Sequence, residues 1–324
     1  MSNLPTIDVV IPSYNYARYL TACSNSVLSQ TGVDLRLLII DNASEDDSAD
    51  LARDLAAHDT RVDLLLRSKN VGPHASFNAG IDWARSDYFL ILCADDLLVP
   101  GALARAVSML EQYPDIHLAH GAIEKISENE KPPHRLPHIG KGNWNICSGA
   151  DFITFACKHA FNPVYGPTAV VRTSAQNEAG YYRPKLPHTD DLEMWLRLAL
   201  LGGVASTDSV QAYVRVHSKN QSANVAGIMH WNNEFEDAFR SFFENEGMIF
   251  PQAARNFMAA RDCLTKRAYW SALSSLVRGE KGGASLMACA LKRHPSMAVM
   301  PPFDYLFQRR QRRSQFAHLK QIDA

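Results

Sequence analysis

Two pairs of adjacent carboxylates are the residues best equipped for chemistry. Asp95-Asp96 follows the apolar run Phe89-Leu90-Ile91-Leu92, and Asp190-Asp191 opens the stretch Leu192-Glu193-Met194-Trp195. Two neighbouring carboxylates at the end of a buried strand repel unless a cation neutralises them. Hard divalent ions such as Mn²⁺ or Mg²⁺ take carboxylate oxygen and share themselves with substrate phosphates. Asp95 and Asp96 are therefore candidate ligands; the other reading is that one of them caps the helix starting near Pro100. Asp190 reads as a helix cap favoured by the helix dipole. Asp191 would then lie in the first turn, where its carboxylate can face a cleft and deprotonate a hydroxyl as general base. His217 follows the strand-like run Ala212-Tyr213-Val214-Arg215-Val216 and is either a metal or phosphate ligand or an ordinary hydrogen-bonded residue. His134, His138 and His188 fit no metal-ligand spacing. Gly72, Gly80 and Gly101 form neither a phosphate loop nor a dinucleotide fingerprint, which argues against a nicotinamide enzyme.

The elements that must position these groups alternate strand and helix through the first half of the chain. Ile7-Asp8-Val9-Val10-Ile11 is an apolar run stopped by Pro12, and residues 17–30 place Leu20, Cys23, Val27 and Leu28 on one helical face. Residues 35–40 are all but continuously apolar, as expected of a strand buried on both sides of a parallel sheet. A helix carrying Ala49, Ala52, Leu55 and Ala56 follows, then a strand at 62–66, a helix at 76–84, a strand at 88–92 and a helix from Pro100-Gly101. This alternation predicts an α/β fold with a mostly parallel central sheet. Residues 127–142 read as a polar loop, 168–172 and 213–216 as strands, and 191–201 as a helix burying Leu192, Trp195, Leu196 and Ala199. Beyond about Gly227 the chain reads as a C-terminal helical region.

Ligands of open parallel sheets sit at the carboxyl ends of the strands. Here those ends are Pro12-Ser13-Tyr14-Asn15, Asp41-Asn42-Ala43-Ser44, Lys69-Asn70-Val71-Gly72 and Cys93-Ala94-Asp95-Asp96. An aromatic plate beside a carboxylate suits a planar base bearing an N–H donor.

The chain has 324 residues, 46% hydrophobic and 21% charged, with a formal net charge of −1. That length and composition allow a sizeable core, and the near-zero charge gives no field for nucleic acid. The charge is uneven, however. From Leu264 to Ala324 there are 11 Lys/Arg against 3 Asp/Glu, a local +8, which leaves −9 on the first 263 residues. A basic end on an acidic body suits an anionic membrane surface or is simply a solvated helix face. Six scattered cysteines with no C-x-x-C pair fit reduced thiols, and no run of 18 apolar residues is present. A cytoplasmic protein, with peripheral contact at the inner membrane face, is the expectation.

Taken in order, the segments resemble the family-2 inverting glycosyltransferases of GT-A fold. The resemblance covers residues 7–222. It rests on Val-Val-Ile-Pro-Ser-Tyr-Asn at 9–15, Ile-Ile-Asp-Asn-Ala-Ser at 39–44, Asn70-Val71-Gly72 and Ala-Asp-Asp-Leu-Leu-Val-Pro-Gly-Ala-Leu at 94–103. It continues with Gly-Pro-Thr-Ala-Val-Val-Arg at 166–172, Asp-Asp-Leu-Glu-Met-Trp-Leu-Arg-Leu at 190–198 and Tyr-Val-Arg-Val-His at 213–217. It implies a GT-A domain over 1–226, with a nucleotide-sugar half at 1–120 and an acceptor and catalytic half at 121–226, followed by the helical region at 227–324. It also implies that Pro12, Tyr14, Asn15, Asp41 and Asn70 hold the nucleotide, and that Asp96, helped by Asp95, binds the metal. His217 would approach the metal or diphosphate, and Asp191 would be the general base. The activity implied is inverting transfer of a hexosyl or N-acetylhexosaminyl group to a glycan or lipid-linked hydroxyl acceptor, in bacterial surface polysaccharide synthesis. A uridine diphosphate donor fits first, because Asp41 can accept from a uracil N–H, and a deoxythymidine diphosphate donor presents the same group. Cys93 departs from the pattern, standing where many relatives carry a further Asp. A sugar nucleotidyltransferase and a non-catalytic nucleotide-sugar-binding subunit are the rival readings.

Overall fold

The computed structural model describes residues 4–130, 143–218, 220 and 227–307, and the backbone of 321–323. The parts of the 127–142 loop beyond Glu130, with His134 and His138, and the Arg309-Arg310-Gln311-Arg312-Arg313 cluster lie outside those residues.

The first half is the expected ladder: β1 (Thr6–Ser13), α1 (Ala17–Leu28), β2 (Asp34–Asp41), α2 (Ser48–His58), β3 (Val62–Leu66), α3 (Pro73–Trp83) and β4 (Tyr88–Ile91). Strands β3, β2, β1 and β4 lie side by side in parallel. Side chains alternate across a strand, so β1 serves two cores. Ile7, Val9 and Ile11 pack with α1 and α4, whereas Val10 packs on the opposite face with Ile81 of α3. That approach is close: a Cβ on Gly80 of α3 would lie 2.8 Å from Val10 Cγ1.

The short β5 (Leu97–Leu98), α4 (Ala102–Gln112), β6 (Ile116–Ser127), β7 (Asn143–Cys147), α5 (Gly149–His159), β8 (Val170–Arg172), α6 (Thr173–Ala179), α7 (Asp190–Leu201) and β9 (Gly203–Val216) follow. Here the sheet changes character. β8 runs antiparallel between β4 and β6, and β5 and β7 run antiparallel to β9, while β6 and β9 are parallel to each other. A terminal strand β10 (Gln321–Asp323) pairs with β7. The strand expected at 213–216 is the end of a 14-residue β9. Strands β6 and β7 and helix α5 were not anticipated.

Helix α7 runs through the centre of the second half. Every residue from Leu192 to Ala199 is buried, so the expected single apolar face is corrected: both sides of this helix are covered. The two charged members of that stretch are paired, with Arg197 2.8 Å from Glu193, and Arg183 bridges Glu193 to Glu246 at 2.5 Å each. At its far end a Cβ on Gly149 would lie 1.6 Å from Ala199 O, so the start of α5 meets α7 backbone to backbone. Helices α8 (Gly227–Glu244), α9 (Ala253–Val277) and α10 (Gly283–Arg293) form the expected helical region. Phe239, Phe242 and Leu264 share one apolar cluster with α5 and α7.

Candidate active site

A cavity of about 670 Å³ opens at the carboxyl ends of β1, β2 and β4 and is closed on the far side by α3, α7 and Trp231 of α8. Pro12, Tyr14, Asn15, Asn70, Asp95, Asp96 and Asp191 all line it. Segments more than 170 residues apart in sequence thus meet around one space.

The wall at the ends of β1 and β2 is built from interlocked loops. Asn15 adopts a left-handed conformation (φ 58°). Its N–H donates to Ser44 Oγ (2.9 Å), and its Oδ1 accepts from Glu45 N (2.8 Å), stapling the β1–α1 and β2–α2 loops together. Asn42 Nδ2 donates to Asn70 Oδ1 (2.8 Å), and Asn42 Oδ1 accepts from Val71 N (3.2 Å). Tyr14 is 39% exposed and lines the cavity.

Asp41 is 2% exposed: its Oδ2 accepts from Ser44 N at 3.0 Å, and its Oδ1 is buried with no hydrogen-bond partner among the described residues, while the adjacent Asn42 lines the cavity.

The acidic loop after β4 is a tight turn. Asp96 N donates to Cys93 O (3.0 Å), and the buried Cys23 thiol donates to the same carbonyl (3.4 Å). The turn brings Cys93, Asp95 and Asp96 together, with one ligand atom from each lying within 4.8 Å of the others. Each carboxylate is gripped by one oxygen. Asp95 Oδ2 receives His217 Nε2 (3.0 Å) and Asn220 Nδ2 (3.2 Å), and Asp96 Oδ1 receives Arg215 N (3.0 Å). Burial and the Asp95 charge push the Asp96 carboxyl well above the usual carboxylate range. A cation here would relieve both penalties, so the donor set fits a divalent ion. His217 stands beside this turn: its Nε2 meets Asp95 Oδ2, and its ring packs on Tyr19 (centroids 5.6 Å apart).

The second acidic pair also lines the cavity. The helix begins at Asp190, with Thr189 at its cap position, so Asp190 is not the cap. Asp190 Oδ2 instead lies 3.2 Å from His74 Nε2, and this contact raises the histidine's pKa. Asp191 Oδ2 accepts from Asn162 Nδ2 (2.7 Å), and its Oδ1 accepts from Leu192 N (2.6 Å). Burial and the Asp190 charge outweigh those bonds and push the Asp191 carboxyl up to about 7. A carboxylate poised near neutrality can accept a proton from a hydroxyl.

Asn42, His74, Asn162 and Asn220 were missed from the sequence. All four are single polar residues outside any spacing rule; only Asn220, three residues beyond His217, carried a positional signal.

The family model for glycosyl transferase family 2 matches residues 8–172, half of the chain. The chain belongs to glycosyl transferase family 2. Its relatives agree. An uncharacterized glycosyltransferase of Haemophilus influenzae is 24% identical over 72% of this chain and 72% of its own length. The hyaluronan synthase of Pasteurella multocida is 28% identical over 72% of this chain but only 23% of its own length. Among solved structures, S. aureus TarS in complex with UDP-GlcNAc superposes with a TM-score of 0.64 at 14% identity, covering 88% of this chain and 79% of that one. A mannosyltransferase from Pyrobaculum calidifontis in complex with GDP-Man and Mn²⁺ superposes at 0.54, with 16% identity, covering 94% and 86%. The fold is therefore GT-A-like and the chain is a glycosyltransferase, which sets aside the nucleotidyltransferase and non-catalytic readings.

Proposed function

We propose that this glycosyltransferase moves a sugar from a nucleoside diphosphate donor to an acceptor hydroxyl by a single displacement that inverts the anomeric carbon. The observation that carries the reading is that the Cys93-Asp95-Asp96 cluster and Asp191 line the same cavity. The base stacks on Tyr14 against Pro12, and Asp41, whose Oδ1 has no partner among the described residues, accepts the N–H of uracil or thymine. Uridine diphosphate is the first donor to test and deoxythymidine diphosphate the second. Asn15 and Asn70 act by fixing the loops that frame the base. Asp95 and Asp96 hold a divalent cation, Mn²⁺ or Mg²⁺, and His217 and Asn220 fix Asp95 for that task. The cation, when bound, supplies positive charge to the leaving diphosphate. Asp191 takes the acceptor's proton as the acceptor oxygen bonds to the anomeric carbon. The bond from that carbon to the phosphate oxygen breaks, and its electron pair leaves on the diphosphate.

The acceptor is a glycan or lipid-linked hydroxyl of bacterial surface polysaccharide synthesis, reached at the inner membrane face from the cytoplasm. Support comes from the +8 C-terminal charge and from Val299, Met300 and Phe307, all more than 60% exposed. No helix among the described residues is long and apolar enough to cross a membrane.

The test is Asp191→Asn. Turnover of a UDP-sugar should fall by about 10²–10⁴-fold with UDP affinity unchanged. Unchanged turnover would remove Asp191 from the chemistry.

A further inference from the structure

The donor-site reading accounts for Asp95 and Asp96 but leaves the residue that opens their turn without a task. Cys93 is the exposed member of the cluster and faces the cavity, and its Sγ has no hydrogen-bond partner among the described residues. Cys23 lies directly behind it, fully buried, and gives its own thiol to the Cys93 carbonyl. The backbone of Cys93 is therefore fixed from two sides while the residue lines the cavity. A packing role belongs to Cys23 and not to Cys93.

The turn leaves three donors free at once. Asp95 uses Oδ2 and Asp96 uses Oδ1 for hydrogen bonds within the protein, so Asp95 Oδ1 and Asp96 Oδ2 have no partner among the described residues. One oxygen from each of these carboxylates and the Cys93 sulfur lie within 4.8 Å of one another. Metal–sulfur bonds of about 2.3 Å and metal–oxygen bonds of about 2.0–2.2 Å put neighbouring ligands of a tetrahedral ion about 3.5 Å apart. The cluster closes on an ion by drawing its three side chains inward.

We infer that Cys93 Sγ is the third protein ligand of the cation, and that it biases this site toward thiophilic divalent ions, cobalt or zinc, over Mg²⁺. This rests on the donor-site reading and specifies its metal. An all-oxygen set suits Mg²⁺, and one thiolate moves the preference toward softer ions. On binding, the thiol loses its proton to solvent as the metal–sulfur bond forms, because a coordinating thiol is deprotonated. No oxidant or reductant is involved.

The test uses the full chain, stripped of metal with a chelator and saturated with UDP, and titrated with Co²⁺. The expected result is a near-ultraviolet thiolate-to-cobalt absorption band that saturates at one equivalent. Cys93→Ser should lose the band while still unfolding cooperatively on heating, which shows that the variant is folded. In Cys93→Asp the Mg²⁺ concentration needed to displace Co²⁺ should fall by about tenfold or more, a change on the scale that altered metal surroundings produce. Co²⁺ uptake seen by calorimetry without the band would overturn the inference, as would a band that survives Cys93→Ser. Stabilisation by UDP with no uptake of Co²⁺ would also overturn it and leave the nucleotide site standing. Absence of both would bring down the donor-site reading with it.

Discussion

Asp191 is held by two donors, the Asn162 amide and the Leu192 N–H, and both favour its charged form. Burial and Asp190 act the other way and win, leaving the carboxyl at about 7. A base must be deprotonated to work, so turnover should rise with pH through about 7 and level off above it. Asn162→Ala removes a bond that stabilises the charged form, so the rising limb should move to higher pH. The pH profile of kcat in the two proteins checks this; a limb unmoved by Asn162→Ala would mean that Asn162 does not tune the base. The motif Asp41-Asn42 was legible as a strand end because the apolar run before it stops there; that Asn42 ties its loop to Asn70 was not.

Helix α7 has to present Asp190 and Asp191 at its start while its body is buried on all sides. The charges within that buried body, Glu193 and Arg197, are 0% and 3% exposed, and they are joined to Arg183 and through it to Glu246. Removing one partner leaves a buried charge without compensation, which costs about 3–5 kcal/mol. Glu193→Ala should therefore lower the urea midpoint strongly. Replacing both Glu193 and Arg197 with Met should cost less than Glu193→Ala alone. A larger loss in the double variant would contradict the ion-pair account of this helix. At this scale the sequence was most legible where period and polarity agreed. β1 to β4 and their helices announce themselves through apolar runs alternating with amphipathic stretches. β6 does not: Ile116–Ser127 interleaves His117, His120, Gly121 and Glu124 with its apolar residues, and part of that polar content is buried. α5 hides for a related reason, since it opens on Gly149, which is there to let α7 approach. Asn162 and His74 reach the site only through tertiary folding, so no local pattern could have marked them.

At the scale of the molecule, an acidic body ends in a basic tail, with Val299, Met300, Phe303 and Phe307 exposed just before the arginine run. If that end meets an anionic surface, the full chain should sediment with vesicles containing acidic lipid but not with neutral ones, and binding should weaken as salt rises. Changing Arg309, Arg310, Arg312 and Arg313 to Gln should abolish it; equal sedimentation with neutral vesicles would contradict an electrostatic contact. The rest of the molecule serves the cavity. The parallel half brings Tyr14, Asn42, Asp95 and Asp96 to its strand ends, and the mixed half delivers Asp191 to the same cavity. The central claim is that this space holds a nucleoside diphosphate through a cation on the acidic turn. The most direct measurement is thermal unfolding with UDP, dTDP, GDP or CMP, each with and without Mn²⁺. A ligand at about 100 times its Kd adds about 2.7 kcal/mol, a rise of a few degrees in Tm for a chain of this size. The account predicts a Mn²⁺-dependent rise with UDP or dTDP that Asp96→Ala abolishes. No rise with any nucleotide, or a rise indifferent to Asp96, would contradict it.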